Sequence, residues 1–173
     1  MSSPSARRAI HAAQALLVCA TLAGCGFHPL YGGAGQAQTD SALAAVQVEP
    51  IPERIGQLVA NSLRDSFNPT GVSVAPLYSL KVTIYASHSD LVIRIDGTAS
   101  RELYVAGASF LLTSTAGGKT FHGTARSNNS YDIGENEYSV VVANDDAQTR
   151  AAHDIAQQIS QQVSLYMHEQ GAK

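Results

Sequence analysis

Apolar and polar residues alternate through the middle of the chain, and this alternation restricts the fold more than any other feature. Every second residue is apolar or aromatic between residues 78 and 86, and again between residues 104 and 112. That period is the spacing at which the side chains of a β-strand point to one face of a sheet. Asp96-Gly97 lies between the two stretches and is a strong signal for a two-residue hairpin turn. The middle of the chain therefore predicts half-buried antiparallel strands.

The Asp96-Gly97 turn also predicts the register near the tip of this hairpin. Three cross-strand pairs follow from it, which are Ile95 with Thr98, Arg94 with Ala99, and Val92 with Arg101. The apolar residues change from even to odd positions after His88-Ser89-Asp90. A change of parity within one strand predicts a β-bulge at this triplet.

Helical periodicity flanks the strand block on both sides. Apolar residues recur every four positions from Ile55 to Phe67, which predicts an amphipathic helix from Pro52 to Phe67. A second apolar stripe predicts a closing helix from Asp145 to His168, with Asn144 as its N-cap and a Gln-rich, solvated opposite face. The residues of this stripe are Ala152, Ile155, Ile159, Val163 and Tyr166.

Two further strands complete the predicted sheet. Val46 and Val48 form a short first strand that ends at Pro50, and Lys119–Ser127 follows the turn Ala116-Gly117-Gly118 as a fourth strand. The order is β-α-β-β-β-α. Because the two apolar helix stripes must be buried, we predict an α+β fold with both helices on one face of a mainly antiparallel four-stranded sheet.

The first 24 residues have the organisation of an export signal. Arg7 and Arg8 precede a mostly apolar run, and Leu22-Ala23-Gly24-Cys25 ends this run with a cysteine after small residues, as bacterial lipoprotein signals do. The run of about a dozen residues is shorter than the ~20 that a membrane-spanning helix needs. We therefore predict cleavage after Gly24 and acylation of Cys25. The alternative is an ordinary secretory signal followed by a chance cysteine.

Cleavage after Gly24 divides the chain into three predicted segments. Residues 1–24 are the signal peptide, and residues 25–43 are the lipidated N-terminus, with a flexible Gly-rich tether at 32–39. Residues 44–170 form a single α/β domain. Stable anchoring requires two or more acyl chains, and bacterial lipoproteins resemble one another in carrying three on this cysteine.

Cysteine and charge content exclude several classes of protein. Cys19 leaves with the signal, so Cys25 has no disulfide partner and no cysteine-based metal site can form. The processed chain keeps 9 basic and 14 acidic residues, which does not indicate nucleic-acid binding.

No motif for catalysis, metal or cofactor binding stands out, and we predict none of these activities. His88-Ser89-Asp90 could join His122 or Asp132 in a reactive site, but a polar turn or bulge explains the triplet better. His153 is interpreted as a solvated residue of the last helix. Gly117-Gly118 is too short for a phosphate loop and is interpreted as a hairpin turn.

Arg94 and Arg101 are the one candidate binding site. The predicted register places them as diagonal neighbours on one sheet face, ~7–8 Å apart at Cα. Two guanidinium groups at that distance suit bidentate recognition of an anion such as phosphate. Alternatively, Asp90, Asp96 or Glu102 neutralises them on a solvated hairpin.

The residues from Cys25 to Gly32, Cys-Gly-Phe-His-Pro-Leu-Tyr-Gly, resemble the sequence that opens the mature lipoproteins of the LptE family, particularly its alphaproteobacterial branch. Three later segments are also similar to that family: Ile93–Arg101, Gly123–Ser127 followed by Tyr131, and the closing helix that ends in Leu165-Tyr166. The resemblance runs from Cys25 to about His168.

The resemblance implies a two-helix, four-stranded α/β domain that is not an enzyme. It implies a lipid-anchored protein on the periplasmic side of the outer membrane, which plugs the β-barrel protein LptD, helps it assemble and helps lipopolysaccharide reach the cell surface. Gly26 after the cysteine fits retention in the outer membrane. The resemblance matches no family ligand residue onto this chain; that Arg94 and Arg101 hold lipid A phosphates is our own inference from the hairpin register.

Two other functions remain open at this stage. One is an auxiliary lipoprotein of another periplasmic lipid-transport system. The other is a periplasmic lipoprotein hydrolase, which would need a nucleophile and a base clustered in a cleft.

Overall fold

The computed structural model describes residues 34–93, 99–134 and 136–171, which form three helices and four strands. The predicted signal peptide, Gly24, Cys25, Arg94 and the Asp96-Gly97 turn lie outside these residues. The helices are α1 (Ala34–Ala44), α2 (Glu53–Phe67) and α3 (Glu137–Gly171), and the strands are β1 (Val46–Val48), β2 (Tyr78–Ile93), β3 (Ala99–Ser114) and β4 (Thr120–Asp132).

The four strands form one sheet in the order β1-β2-β3-β4. β1 pairs with β2 in parallel, whereas β2–β3 and β3–β4 are antiparallel. The two antiparallel pairs need only tight turns, and Gly117 and Gly118 supply one with positive φ values of 85° and 104°. The parallel pair needs a crossover, and α2 provides it. The predicted mainly antiparallel sheet is confirmed.

The hydrophobic core lies between one face of the sheet and the helices. Even-numbered residues of β2 and β3, among them Leu80, Val82, Phe110 and Leu112, point into it. The predicted stripes of α2 and α3 meet them, since both helices bury their apolar residues in the same cluster. The α3 residues in the cluster are Ala147, Ala151, Ala152, Ile155, Ala156, Ile159, Val163 and Met167.

The predicted tether is not an extended linker over its described part. Residues 34–44 form α1, which packs mainly against α3. Leu43 is buried in the core and Ala42 packs against it. Tertiary contacts at the C-terminal end of α1 therefore outweigh the low helix propensity of Gly35 and its polar neighbours.

The closing helix begins earlier than predicted, at Glu137 instead of Asp145. Asn136 is its N-cap, because the Asn136 side-chain oxygen accepts the Tyr138 N–H at 2.9 Å. The prediction of Asn144 as N-cap is wrong, since Asn144 lies inside the helix. The β-branched run from Val140 to Val142 is helical because Val140 and Ala143 pack on the core.

The hairpin register departs from the prediction near its tip. The β2–β3 ladder is regular through Asp90–Glu102, and its irregularities lie between Asp90 and Val92 and between Val92 and Ile93. The bulge was predicted at residues 88–90, but the irregularity lies at residues 90–93. Val92 faces Arg101 as predicted, but Ala99 faces Ile93 rather than Arg94. Residues 85–91 are exposed. Because neither face of the strand is buried there, burial does not determine which residues point to which face or where the register shifts.

The outer edge of β4 is closed by side chains of α3. Gln158 accepts the Arg126 N–H at 3.2 Å and donates to the Arg126 carbonyl at 2.9 Å. Gln162 donates to the Thr124 carbonyl at 3.0 Å. Part of the Gln-rich face predicted to be solvated therefore satisfies the backbone of an edge strand.

Candidate binding surfaces

Arg101, the described member of the predicted arginine pair, lies at the tip end of β3 and is half exposed. Its Nε donates to Asp132 of β4 at 2.7 Å. The hydrogen bond from Arg101 to Asp132, and after it the attraction between the two charges, raises the pKa of Arg101. The same two interactions lower the pKa of Asp132. The acid that pairs with Arg101 is therefore Asp132, and not Asp90 or Glu102, while Asp96 lies outside the described residues.

A polar cluster, which we call the tip cluster, joins the same end of the sheet to α3. Its centre is the hydroxyl of Tyr131, which donates to Glu102 and accepts the Asn144 side-chain amide at 3.0 Å. His88 Nδ1 lies 3.3 Å from that hydroxyl and 3.5 Å from Glu102 Oε2. Gln148 donates to Asn144 at 2.5 Å. The tip cluster thus consists of His88, Glu102, Tyr131, Asn144 and Gln148.

Burial and the neighbouring carboxylate keep the Tyr131 phenol protonated. Burial is the largest cause that raises the pKa of Tyr131, and the hydrogen bond to Glu102 is the next. Burial likewise raises the pKa of Tyr104, whose ring stands edge-on to His88 with centroids 5.1 Å apart. A protonated phenol that serves as donor suits a fixed structural link between strands and helix.

The tip cluster explains His88 without a reactive role. Within the described ranges, no group of three or more His, Cys, Asp or Glu side chains could hold a metal ion. His122 lies on the opposite sheet face from His88, and His153 is exposed, with Nδ1 3.4 Å from the Ser62 hydroxyl. The structure therefore does not bring the three histidines together.

The sheet face away from the helices, which we call the open face, is polar and basic. Lys81, His122 and Arg126 are exposed on it, among Ser, Thr and Asn residues. Two acidic groups are described on it: Asp132 is paired with Arg101, and Glu49 accepts the Ser79 hydroxyl at 2.7 Å. Tyr85 lies over Gly107, where an added Cβ would come within 2.1 Å of the phenol ring. The alternation of apolar and polar residues in the sequence predicts that the sheet has such a polar face, but it does not predict the charge of that face.

Exposed apolar side chains form two further patches. Tyr138, Val141 and Val142 lie on the first turns of α3, on the side away from the core. Val72, Val74 and Leu77 lie on the loop between α2 and β2. An open groove of about 610 Å³ runs between β1 and the end of α2 and is lined by residues such as Val48, Arg64 and Phe67. Such patches mark contact sites in soluble domains.

Within the described part of the chain, none of the helices combines the length and the hydropathy that a bilayer span requires.

Comparison with known families gives one match, and it covers most of the domain. The model of the LptE family, described as lipopolysaccharide-assembly, matches residues 43–163. No curated protein matches the chain.

Two solved structures share the fold. A candidate lipoprotein from Caulobacter crescentus CB15 superposes with a TM-score of 0.63 at 20% identity, over 76% of this chain and 96% of that one. A minor lipoprotein from Acinetobacter baumannii gives a TM-score of 0.54 at 21% identity, over 70% of this chain and 92% of that one. These similarities show that the arrangement of helices and sheet occurs in other lipoproteins.

Proposed function

Since the chain belongs to the LptE lipopolysaccharide-assembly family, we propose that it is an outer-membrane lipoprotein that binds and plugs the LptD β-barrel. In that position it assists assembly of the barrel and transport of lipopolysaccharide to the cell surface. The observation that carries the proposal is the family match over residues 43–163, which runs from the end of α1 through all four strands to Val163 in α3.

The surfaces of the domain support a plug more than a catalyst. A barrel lumen is polar, and the open face presents hydroxyl, amide and basic groups over three strands. The exposed apolar patch at Tyr138, Val141 and Val142 offers additional contact area. Binding proteins need such surfaces and no reactive cleft. We accordingly propose a non-enzymatic role.

The anchor is part of the proposal. Acylation of Cys25 would hold the protein on the periplasmic side of the outer membrane, with residues 26–33 between the lipid and α1. Several acyl chains on one cysteine suffice for stable anchoring without a membrane-spanning helix.

We further propose that Arg94 and Arg101 bind a phosphate of lipid A. Arg101 is exposed at the sheet tip, so an anion can reach it, but the anion must compete with Asp132. Replacing Arg94 and Arg101 together by Ser should weaken lipopolysaccharide binding and reduce its salt dependence. Asp132→Asn should strengthen binding, because it frees Arg101. Unchanged affinity in all these variants would exclude the site and leave the barrel proposal untouched.

Co-purification tests the main proposal. The tagged full-length protein, extracted in mild detergent from outer membranes, should bring down the LptD barrel in a stable complex. Depletion of the protein should lower the amount of folded barrel and of lipopolysaccharide at the cell surface. Capture of periplasmic lipid-transport components without the barrel would favour the auxiliary-lipoprotein alternative, and would contradict the plug.

A further inference from the structure

The two long edges of the sheet differ in a way that the core does not require. Even-numbered residues of β4 direct their backbone groups away from β3. The Gln158 side chain bonds both backbone groups of Arg126, and the Gln162 side chain bonds the Thr124 carbonyl. This edge is thus occupied by side chains at Thr124 and Arg126.

The other edge is closed only at its start. The Tyr78 N–H and the Leu80 carbonyl point to β1, with partners at Ala45 and Glu49. Even-numbered residues of β2 therefore direct their backbone groups outward. β1 ends at Val48, because Pro50 cannot continue a strand ladder. From Val82 to Asp90, no described element pairs with the outer side of β2.

Few of the features that normally protect an edge strand occur within this stretch of β2, which we call the free edge; the ladder irregularities begin only after Asp90. Proteins cover such edges, interrupt them with bulges or Pro, or keep them short. The free edge has nine residues, no Pro, and a regular register up to Asp90. At ~3.3 Å per residue it is about 30 Å long. Ala86, Ser87 and Ser89 are small and exposed, so a neighbouring chain can approach.

The two sides of the free edge specify what can bind. On the helix side, Val82 is buried and Ile84 is half-buried, so a partner strand would meet apolar side chains there. On the open side, the partner would meet Thr83, Tyr85 and Ser87, of which Tyr85 is 61% exposed. A matching segment is extended, with apolar residues opposite Val82 and Ile84 and polar residues opposite His88 and Asp90.

We propose that the free edge binds an unpaired strand of the barrel protein while the barrel assembles. The inference rests on the proposed function. Transmembrane β-strands alternate apolar and polar residues and are ~9–11 residues long, which matches the length of the free edge. Pairing would give the strand a hydrogen-bonded neighbour before its own partner in the barrel is in place.

A second copy of this chain fits less well in the two-fold register that would use the whole free edge. A two-fold antiparallel pair centred on Ala86 would place Asp90 of one copy opposite Val82 of the other. A carboxylate would then lie beside a buried apolar side chain, which is unfavourable. Lys81 would lie opposite Leu91 in the same pair.

Ala86→Pro tests the proposal, with Ala86→Ser as its matched control. The Ala86 N–H points outward, so Pro there removes no bond within the sheet, as on other edge strands. Ser keeps the N–H. The probe is a synthetic nine-residue peptide of alternating Val and Thr. Ala86→Pro should weaken its binding about tenfold, in line with the loss of backbone hydrogen bonds at the centre of the pair, whereas Ala86→Ser should bind like wild type.

Amide hydrogen exchange on the full chain identifies the mode of binding. The peptide should slow exchange at the outward amides of Ile84, Ala86 and His88 at least about tenfold, because a new hydrogen bond protects each one. The inward amides of Thr83 and Tyr85 should be slow already. The proposal would be overturned if the peptide slowed exchange equally at the outward and the inward amides, or at neither. Protection that rises with protein concentration alone would also overturn it, in favour of a second copy.

Barrel assembly separates this inference from the proposed function. Denatured LptD refolded with the wild-type or Ala86→Ser chain should form folded barrel faster than with Ala86→Pro. If the wild-type chain co-purifies with the barrel but Ala86→Pro assembles it equally fast, the free-edge inference is wrong and the plug stands. If the wild-type chain never co-purifies with the barrel, the proposed function fails instead.

Discussion

At the scale of single residues, Tyr131 has the widest influence, because its hydroxyl joins β2, β3, β4 and α3. The side chain comes from β4, donates to Glu102 of β3 and accepts from Asn144 of α3, while His88 of β2 lies at 3.3 Å. Removing this hydroxyl would leave a carboxylate and an amide short of partners in a half-buried setting. The sequence alone shows no spacing that would single out this cluster, because its members come from four separate elements.

Tyr131→Phe should lower the free energy of unfolding by ~1 kcal/mol, the net worth of a typical intramolecular hydrogen bond. Denaturant unfolding measures the change as a lower midpoint at constant slope. Tyr138→Phe is the control, because Tyr138 is 75% exposed and its loss of a hydroxyl should change nothing. Equal midpoints for both variants would show that the tip cluster adds no stability.

The same phenol makes stability depend on alkaline pH. The pKa of Tyr131 is raised in the folded protein, so the folded state holds this proton more tightly than the unfolded chain does. Its contribution is complete below the ordinary tyrosine pKa of about 10 and is lost as pH rises from there through the folded-state value. Denaturation midpoints measured from pH 8 to 11 should therefore fall above about pH 10. The fall should be shallower in Tyr131→Phe, with Tyr104 responsible for part of what remains.

At the scale of elements, α3 uses one face to pack against the core and a neighbouring face to contact β4. It contains 35 residues, which corresponds to about 52 Å at the usual rise. One stripe fills the core, and a second stripe with a spacing of four residues follows β4. The residues of the second stripe are Arg150, Asp154, Gln158, Gln162 and Tyr166, which contact Asn129, Ser127, Arg126, Thr124 and Phe121 in turn.

Ile159→Ala tests the core stripe. Ile159 is fully buried, and truncation of such a side chain leaves a cavity and costs about 2–5 kcal/mol. Chemical denaturation measures the loss. Leu165→Ala is the control on the same helix, since Leu165 is 52% exposed and its truncation should cost far less. A similar loss at both positions would contradict the assignment of α3 faces.

Gln158→Ala tests the edge stripe. The substitution removes the partner of both backbone groups of Arg126, so the Arg126 amide should exchange with solvent faster and stability should fall by ~1 kcal/mol. Hydrogen exchange and denaturation report these changes. Gln157→Ala serves as the control, because the neighbouring Gln157 is exposed. An Arg126 amide that exchanges at the wild-type rate would show that water replaces the glutamine without cost.

Periodic segments were predictable from the sequence, and segments held by distant partners were not. α2 and β1 match their predictions, because a strong local period and a nearby Pro define them. α1 and the first two turns of α3 were missed, since their polar or β-branched residues become helical only against the core. The partner of Arg101, Asp132, is 31 residues away along the chain, so only the β3–β4 register reveals the pair.

At the scale of the whole molecule, acidic groups and basic groups are distributed unevenly. The chain carries a net charge of −3, yet the described part of the open face has three basic side chains, Lys81, Arg101 and Arg126, against the two acidic ones, Glu49 and Asp132. Acidic residues lie mainly on the helices, among them Glu53, Asp65 and Asp145. A domain with such opposite faces, held near a membrane, would have a preferred orientation towards an anionic surface.

Membrane attachment should depend on Cys25. Cys25→Ala removes the acylation site, so the protein should move to the soluble fraction or keep its signal peptide uncleaved. Fractionation and intact-mass measurement report both outcomes. Ser3→Ala, at the start of the predicted signal, is a control that should process normally. An unmodified Cys25 thiol on the mature wild-type chain would exclude the lipoprotein assignment.

The parallel pairing of β1 with β2 has a consequence for the order of folding. The β2–β3 and β3–β4 ladders join neighbouring segments, whereas β1 meets β2 only after the whole of α2 has been placed between them. Contacts that close longer loops form more slowly. We expect the three-stranded meander to form first and β1 with α1 to join late. In the export that we propose for this chain, the N-terminal elements would leave the translocation machinery first and be the last to reach their native partners.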